Sequence, residues 1–386
     1  MAIKKTIRWL HLWLGLISGL LVFFLGITGC ILAFQREIED ATEEWRFTEV
    51  QAKPLLPPTK LKAIADRQLP GKHVHSVTYQ TGRSVQVVYF ALDPAYFFTV
   101  HLNPYTGEVL KVRDMDQDFF RFIINGHYYL WLPQHGGQLV LTSATLIFVV
   151  LMISGIILWW PKNKAATKKR FRVKWNAKWR RVNYDLHNVL GFYMTWVAIF
   201  IALTGMVMGF QWFANSVYFV GSGGKSYELF TESYSDTTGN PNVQTRAAAA
   251  DILWKRFVDE DPTFKGILDV HVPENKASSV EIAKNPDPST FWKADYYFYD
   301  QHTLQEIKVT HPFGKFAEAN NGDKLIRMNY DVHVGAIAGL PGKVIAFFAS
   351  LIAASLPVTG IVMWLGRKKK KPRAERPVAE RLVLED

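Results

Sequence analysis

At 386 residues and 49% hydrophobic content the chain is long enough for two or three soluble domains, but its apolar residues gather into four blocks. The net charge of +11 is just as uneven: Lys4, Lys5 and Arg8 lead, ten basic and no acidic residues run from Lys162 to Arg181, and eight basic against four acidic follow from Arg367, leaving 24 basic against 30 acidic residues elsewhere. Positive charge thus sits where apolar blocks end, the positive-inside pattern, which excludes nucleic acid as partner and places both termini and the 162–181 stretch in the cytoplasm.

In chain order the expected segments are a cytoplasmic leader (1–8), a first membrane helix (9–36), an external domain (37–138), a second helix (139–160), a basic cytoplasmic loop (161–183), a third helix (184–213), a second external domain (214–335), a fourth helix (336–365) and a cytoplasmic tail (366–386). Each apolar block approaches or exceeds the ~20 residues that span a bilayer. Lipid is expected around the helices, and both external domains are expected on the side opposite the cytoplasm, in a periplasm if the membrane is a bacterial inner one.

The first and third helices are copies. His11 and His187 are each followed at the same offsets by Leu-Gly (Leu14-Gly15, Leu190-Gly191), Thr-Gly (Thr28-Gly29, Thr204-Gly205) and Phe-Gln (Phe34-Gln35, Phe210-Gln211). The second and fourth helices leave through related motifs, Ser154-Gly155-Ile156-Ile157-Leu158-Trp159 and Thr359-Gly360-Ile361-Val362-Met363-Trp364. The predicted fold class is therefore an α-helical membrane protein, a four-helix transmembrane bundle built from a duplicated unit of helix, external α+β domain and helix. The lone cysteine, Cys30, follows Thr28-Gly29 as in a lipoprotein cleavage site, but Met206 occupies the same place in the second copy, so the tripeptide belongs to the repeat.

The first external domain reads as a short helix at Leu61–Leu69, strands at Ser76–Tyr79, Ser84–Phe90 and Tyr96–Leu102, a turn at Asn103-Pro104-Tyr105-Thr106-Gly107, and a strand at Glu108–Val112. The second repeats this order with a helix at Ala247–Phe257, strands at Gly266–Val272, Ser278–Ala283 and Asp295–Asp300, and a degraded hairpin at Asp300–Ile307.

Histidines at helix ends recur with the duplication. His127 precedes Gly155 by 28 residues and His333 precedes Gly360 by 27, so each half carries one histidine at the cytoplasmic end of its first helix and one at the outer end of its second. Pairing His11 with His187 and His127 with His333 across a bundle axis suits axial ligation of two haem irons, with porphyrin faces against Gly15, Gly19 and aromatic side chains. Zinc is disfavoured because neither pair has further ligands to complete a tetrahedron, and the absence of C-x-x-C-H makes any haem non-covalent b-type. His135 is an alternative to His127, though it has no counterpart in the second half. The candidate propionate partners are Arg8, Arg180 and Arg181 on the inner side and Arg121, Arg327 and Lys343 on the outer. His73, His75, His101, His271, His302 and His311 read as solvated or turn residues. From His11 to the outer end of its helix is about 35 Å. Electron transfer over that span requires either that Pro133 and Pro341 fold the outer histidines back, or that Phe23, Trp196 and Phe200 lie between.

The H-x-x-x-G openings, the Phe97–Val109 hairpin and the two exit motifs together resemble the PepSY-associated transmembrane family from Arg8 to Arg367, and within it the di-haem ferric-siderophore reductases of the ferrioxamine reductase type. That resemblance implies four membrane helices, two external PepSY-like domains, and two b-type haems on His11, His187, His127 and His333. It also implies an oxidoreductase that reduces siderophore-bound ferric iron in the periplasm. Gly137-Gln138 and Gly342-Lys343 stand where the family often carries Gly-Arg. No G-x-G-x-x-G follows a strand, so the electron donor is expected to be a quinol or a separate cytoplasmic reductase. The rival expectation is a PepSY-domain membrane protein that binds a ligand or regulates a peptidase without redox activity.

Overall fold

The computed structural model describes residues 2–161, 163, 167, 170–238 and 246–368. Residues 162, 164–166 and 168–169 of the expected basic loop, and 369–386 of the expected tail, lie outside the described residues. Four long helices carry the apolar blocks: α1 (Ala2–Ala33), α5 (Gln134–Trp159), α6 (Trp179–Gly209) and α10 (Gly339–Lys368). Each is long and apolar enough to cross a membrane. They form a ring in which α1 packs on α10 and α5, and α6 packs on α10 and α5. Small residues bring α1 and α10 together: a side-chain carbon on Gly26 would lie 2.7 Å from the Ser350 carbonyl oxygen.

Short helices prepare the entries to this ring. α2 (Gln35–Thr42) follows α1, α3 (Pro58–Asp66) opens the first extramembrane segment, and α4 (Phe119–Tyr129) lies against α1 and α5. α4 ends where Leu130 and Trp131 both take left-handed backbone, φ 55° and 56°, before Pro133 starts α5. The Trp131 indole donates to the Phe122 carbonyl and stacks on the Phe122 ring, which fixes the reversal. α4 is thereby folded back beside α1. In the second half α7 (Gln211–Gly221) follows α6, α8 (Arg246–Glu260) corresponds to α3, and α9 (Asn321–His333) corresponds to α4, its first turn closed by a capping box between Asn320 and Asp323.

The two extramembrane segments were expected as separate α+β domains, and here the structure differs. Their strands, β1 (Val74–Gln80), β2 (Val85–Leu92), β3 (Ala95–Leu102), β4 (Val109–Asp114), β5 (Ile267–His271), β6 (Val280–Asn285), β7 (Asp295–Tyr299) and β8 (Glu306–Ile307), form one antiparallel sheet in the order β4-β3-β2-β1-β5-β6-β7-β8. The seam is β1 against β5, with Val77 opposite Val270 and Thr78 opposite Asp269. α3 and α8 cover one face together, joined where Thr59 donates its backbone N–H to Asp251, and Leu61, Val77, Val87, Leu253, Val270 and Ile282 share one core. Each four-stranded half exposes an unpaired edge strand on its own, and joining the halves removes both inner edges.

The opposite face of the sheet turns toward the bundle. Arg121 of α4 lies over the Phe97 ring and Arg327 of α9 over Tyr296. An ion network clamps the end of the first helix region to this face: Arg46 pairs with Glu39, Asp40 and Glu43, Arg83 with Asp40, and Arg113 with Asp118. His101, expected to be solvated, is buried here under Trp45, with its Nδ1 3.2 Å from the Ser84 hydroxyl. Burial, then Arg113 and Arg46, push its pKa down to about 3, so it is a neutral packing residue. His311 is likewise buried, among Phe230, Phe298 and Phe313.

Candidate functional site

Two cavities lie inside the helix ring, and each is lined by two of the four helix-end histidines. His127 and His333 line the cavity nearer the sheet. His11 and His187 line the one at the far end of the bundle. The empty space, mouths included, is about 1370 Å³ in the first and 1710 Å³ in the second. Measured as ordinary small-ligand pockets of roughly 300–1,000 Å³ are, the first cavity holds about 180 Å³ and the second about 440 Å³.

Every one of these imidazoles is held in the same way. Nδ1 lies 2.8 Å from Ser154 Oγ at His11, 2.8 Å from Thr359 Oγ1 at His187, 2.7 Å from Thr28 Oγ1 at His127 and 3.0 Å from Thr204 Oγ1 at His333. In all four cases a backbone carbonyl of the hydroxyl's own helix lies within hydrogen-bond distance and can take its hydrogen: Leu151 for Ser154, Leu356 for Thr359, Phe24 for Thr28 and Phe200 for Thr204. With the hydroxyl hydrogen so placed, the oxygen accepts and Nδ1 carries the proton. His333 Nδ1 also donates to the Ile201 carbonyl at 2.9 Å, which requires the same tautomer. A neutral imidazole protonated on Nδ1 has its lone pair on Nε2, the form that binds a metal. Among the described residues no hydrogen bond engages Nε2 of any of the four.

A glycine follows each of these hydroxyl residues and lies against the ring, where a side-chain carbon would stand at ordinary van der Waals contact. Side-chain carbons built on Gly155, Gly360, Gly29 and Gly205 would lie 3.5, 3.6, 3.7 and 3.4 Å from the Cε1 atoms of His11, His187, His127 and His333. The Ser/Thr-Gly dipeptides of the repeat are thus the seats of the histidines. Their recurrence is visible in the sequence, but their role is not, because seat and histidine lie on different helices.

The rings of His127 and His333 lie 6.3 Å apart between centroids, edge-on, with their planes 68° to one another. Two metal–imidazole bonds of about 2 Å each, plus roughly 1 Å from each coordinating nitrogen to its ring centre, give about the same separation. One metal centre between the two rings fits. Among the described residues no group of three or more His, Cys, Asp or Glu is arranged to hold a metal ion. Gly15 and Gly19 line the far cavity as expected, although Gly19 also receives the Pro357 ring, 3.2 Å from where its side chain would begin.

The reversal at Leu130–Trp131 answers the distance problem. His127 bonds Thr28, seventeen residues along α1 from His11, about 26 Å along the axis. The two cavities share Val22 and Phe148 in their walls, so they adjoin. Of the aromatic residues expected to lie between the sites, Phe23, Trp196 and Phe200 line neither cavity and are exposed on the bundle surface.

Several other expected residues fall elsewhere. His135 is exposed and lines neither cavity. Arg327 is buried and donates to the carbonyls of Trp292, Ala294 and Gly314, so it holds the β6–β7 region onto α9 and is engaged with backbone. Lys343 pairs with Glu37 at 2.8 Å. Arg121 lies on Phe97, and Arg181 pairs with Asp185. Arg8 lines the far cavity, while Arg180 is exposed and lines neither cavity. Gln138, in place of the family's arginine, lines the sheet-side cavity and donates to the Met208 carbonyl.

Four apolar helices around two histidine-paired cavities, under a sheet carried on one side, define a polytopic membrane protein. The chain matches the family model for the PepSY-associated TM region over residues 8–367 and belongs to that family. No curated protein matches it.

Proposed function

We propose that this protein is a di-haem b-type electron-transfer protein of a bacterial inner membrane, which reduces siderophore-bound ferric iron in the periplasm. The observation that carries this reading is the seating of the four histidines: Nδ1 of each lies on a Ser or Thr hydroxyl, and they line the two cavities in two pairs. Haem bound between such pairs supplies one-electron transfer. His11 and His187 would hold one group and His127 and His333 the other.

The protein's own part is to fix, separate and shield. The Ser and Thr hydroxyls orient the rings and raise the basicity of Nε2. Val22 and Phe148 stand between the cavities, and the surrounding apolar helices keep water from the path. The sheet would cover the periplasmic mouth, where a ferric chelate docks and leaves as a weaker ferrous complex, since hard oxygen donors hold Fe(II) less tightly. The electron donor would be a quinol or a cytoplasmic reductase.

Purified full-length protein tests this directly. It should contain two haems per chain with a b-type reduced spectrum. Replacing His11 and His187 together by alanine should remove one haem, and replacing His127 and His333 together should remove the other. The dithionite-reduced protein should be reoxidised by a ferric hydroxamate, with Fe(II) captured by a ferrous-specific chromogenic chelator. Colourless wild-type protein would leave instead a membrane protein whose sheet binds ligands or regulates a peptidase.

A further inference from the structure

One pentapeptide occurs twice, ending each time on a cavity histidine: Asn183-Tyr184-Asp185-Leu186-His187 and Asn329-Tyr330-Asp331-Val332-His333. The copies do not follow the duplication of the halves, since both lie in the second half, one at the start of α6 and one at the end of α9. One serves each cavity.

Their side chains do the same things in both places. Asn183 Nδ2 donates to the Thr359 carbonyl at 3.0 Å, and Asn329 Nδ2 donates to the Thr204 carbonyl at 3.1 Å. Those threonines are the ones whose hydroxyls accept from His187 and His333. Asparagine and histidine, four residues apart on one helix face, therefore grip a single threonine by its carbonyl and its hydroxyl. The tyrosines line the cavities of their own histidines. The aspartates are buried and tie the helix to chain outside the bundle: Asp185 accepts from Lys174 N and Arg181 Nε, and Asp331 accepts from the backbone N–H groups of Phe291 and Trp292.

The first half has no such grip. Four residues before His11 and His127 stand Ile7 and Ile123, which have no side-chain donor. His11 and His127 are each held by one hydroxyl alone.

Resting on the di-haem reading, we propose that the repeated Asn-Tyr-Asp-x-His segment is a positioning device that makes the two ligands of each cavity inequivalent. His187 and His333 are the fixed ligands. His11 and His127 are the exchangeable ones, so each site can admit a small external ligand on its first-half side. Asn183 and Asn329 are positioning residues, acting through Thr359 and Thr204.

The experiment uses full-length protein reduced with dithionite, with carbon monoxide as probe. His11→Ala and His127→Ala should each keep two haems, one of them now five-coordinate and binding carbon monoxide. His187→Ala and His333→Ala should each lose one of the two haems. Asn183→Asp and Asn329→Asp keep side-chain size but remove the donor, and in the oxidised protein should each shift the low-spin electron paramagnetic resonance signal of one haem only. Each should also raise carbon monoxide affinity at that haem about fivefold, the factor that one net hydrogen bond supplies. Ile7→Ala and Ile123→Ala should move neither signal. The haem of the untouched cavity, unchanged in spectrum, certifies that each variant is folded. Equal haem loss from both members of a pair, or Asn→Asp variants with wild-type signals and affinity, would overturn the proposal while leaving the di-haem reading intact. A colourless wild-type protein would overturn both.

Discussion

The bundle and the sheet descend from the same duplication, yet they have kept different things from it. In the bundle the two halves agree atom by atom: a hydroxyl on Nδ1 and a glycine beside Cε1, at all four histidines. In the sheet they agree only in topology. Asn103 caps its turn by accepting from Tyr105 and Thr106 while Gly107 takes φ 76°, whereas Asp300 caps the matching turn by accepting from His302 and Thr303, and Leu304 takes φ 58° in the glycine's place. A sheet core tolerates any side chain of suitable shape. A ring nitrogen that must keep one tautomer tolerates very few neighbours. The difference puts the more exacting side-chain contacts in the bundle and the more tolerant packing in the sheet.

Substitutions should separate the two regions. The largest effect belongs to the sheet: Leu253→Ala, at a fully buried site under the seam, should cost about 2–5 kcal/mol in the unfolding transition of the sheet. The same variant should leave the haem spectrum unchanged, and a changed spectrum would break the division of labour. In the bundle, Thr28→Val keeps shape but removes the acceptor for His127, and should cost only about 1 kcal/mol of stability. It should nevertheless shift the midpoint potential of one haem, as read by redox titration, because the hydrogen bond sets the basicity of the ligand.

The smallest effect is in pH dependence, and it belongs to the sheet. His271 Nε2 lies 3.1 Å from Asp269 beside the seam, with the His75 ring edge-on at 4.6 Å. Burial works against the charged ring, but the hydrogen bond and charge of Asp269, with Glu281, raise its pKa to about 9. That exceeds the ordinary value of 6.5, so the pair's contribution is complete below pH 6.5 and is lost as pH rises through about 9. Thermal unfolding of wild type and His271→Gln should therefore differ near neutral pH and converge in alkali. His101 works in the opposite sense: its pKa is depressed to about 3, so its neutral form favours the fold and stability falls as pH drops below 6.5.

Much of this was legible in the chain itself. Lengths of apolar sequence fix four helices, period-two alternation fixes strands such as Val85–Leu92, and identical offsets expose the repeat and its four histidines. These are local signals, carried by residues close together in sequence. The rest depends on residues far apart. That the two sets of strands make one sheet follows from Val77 meeting Val270, and that Arg327 serves backbone carbonyls instead of a cavity follows from where α9 lands. The partner of each Nδ1 is a hydroxyl on another helix, a relation that exists only once the helices have packed.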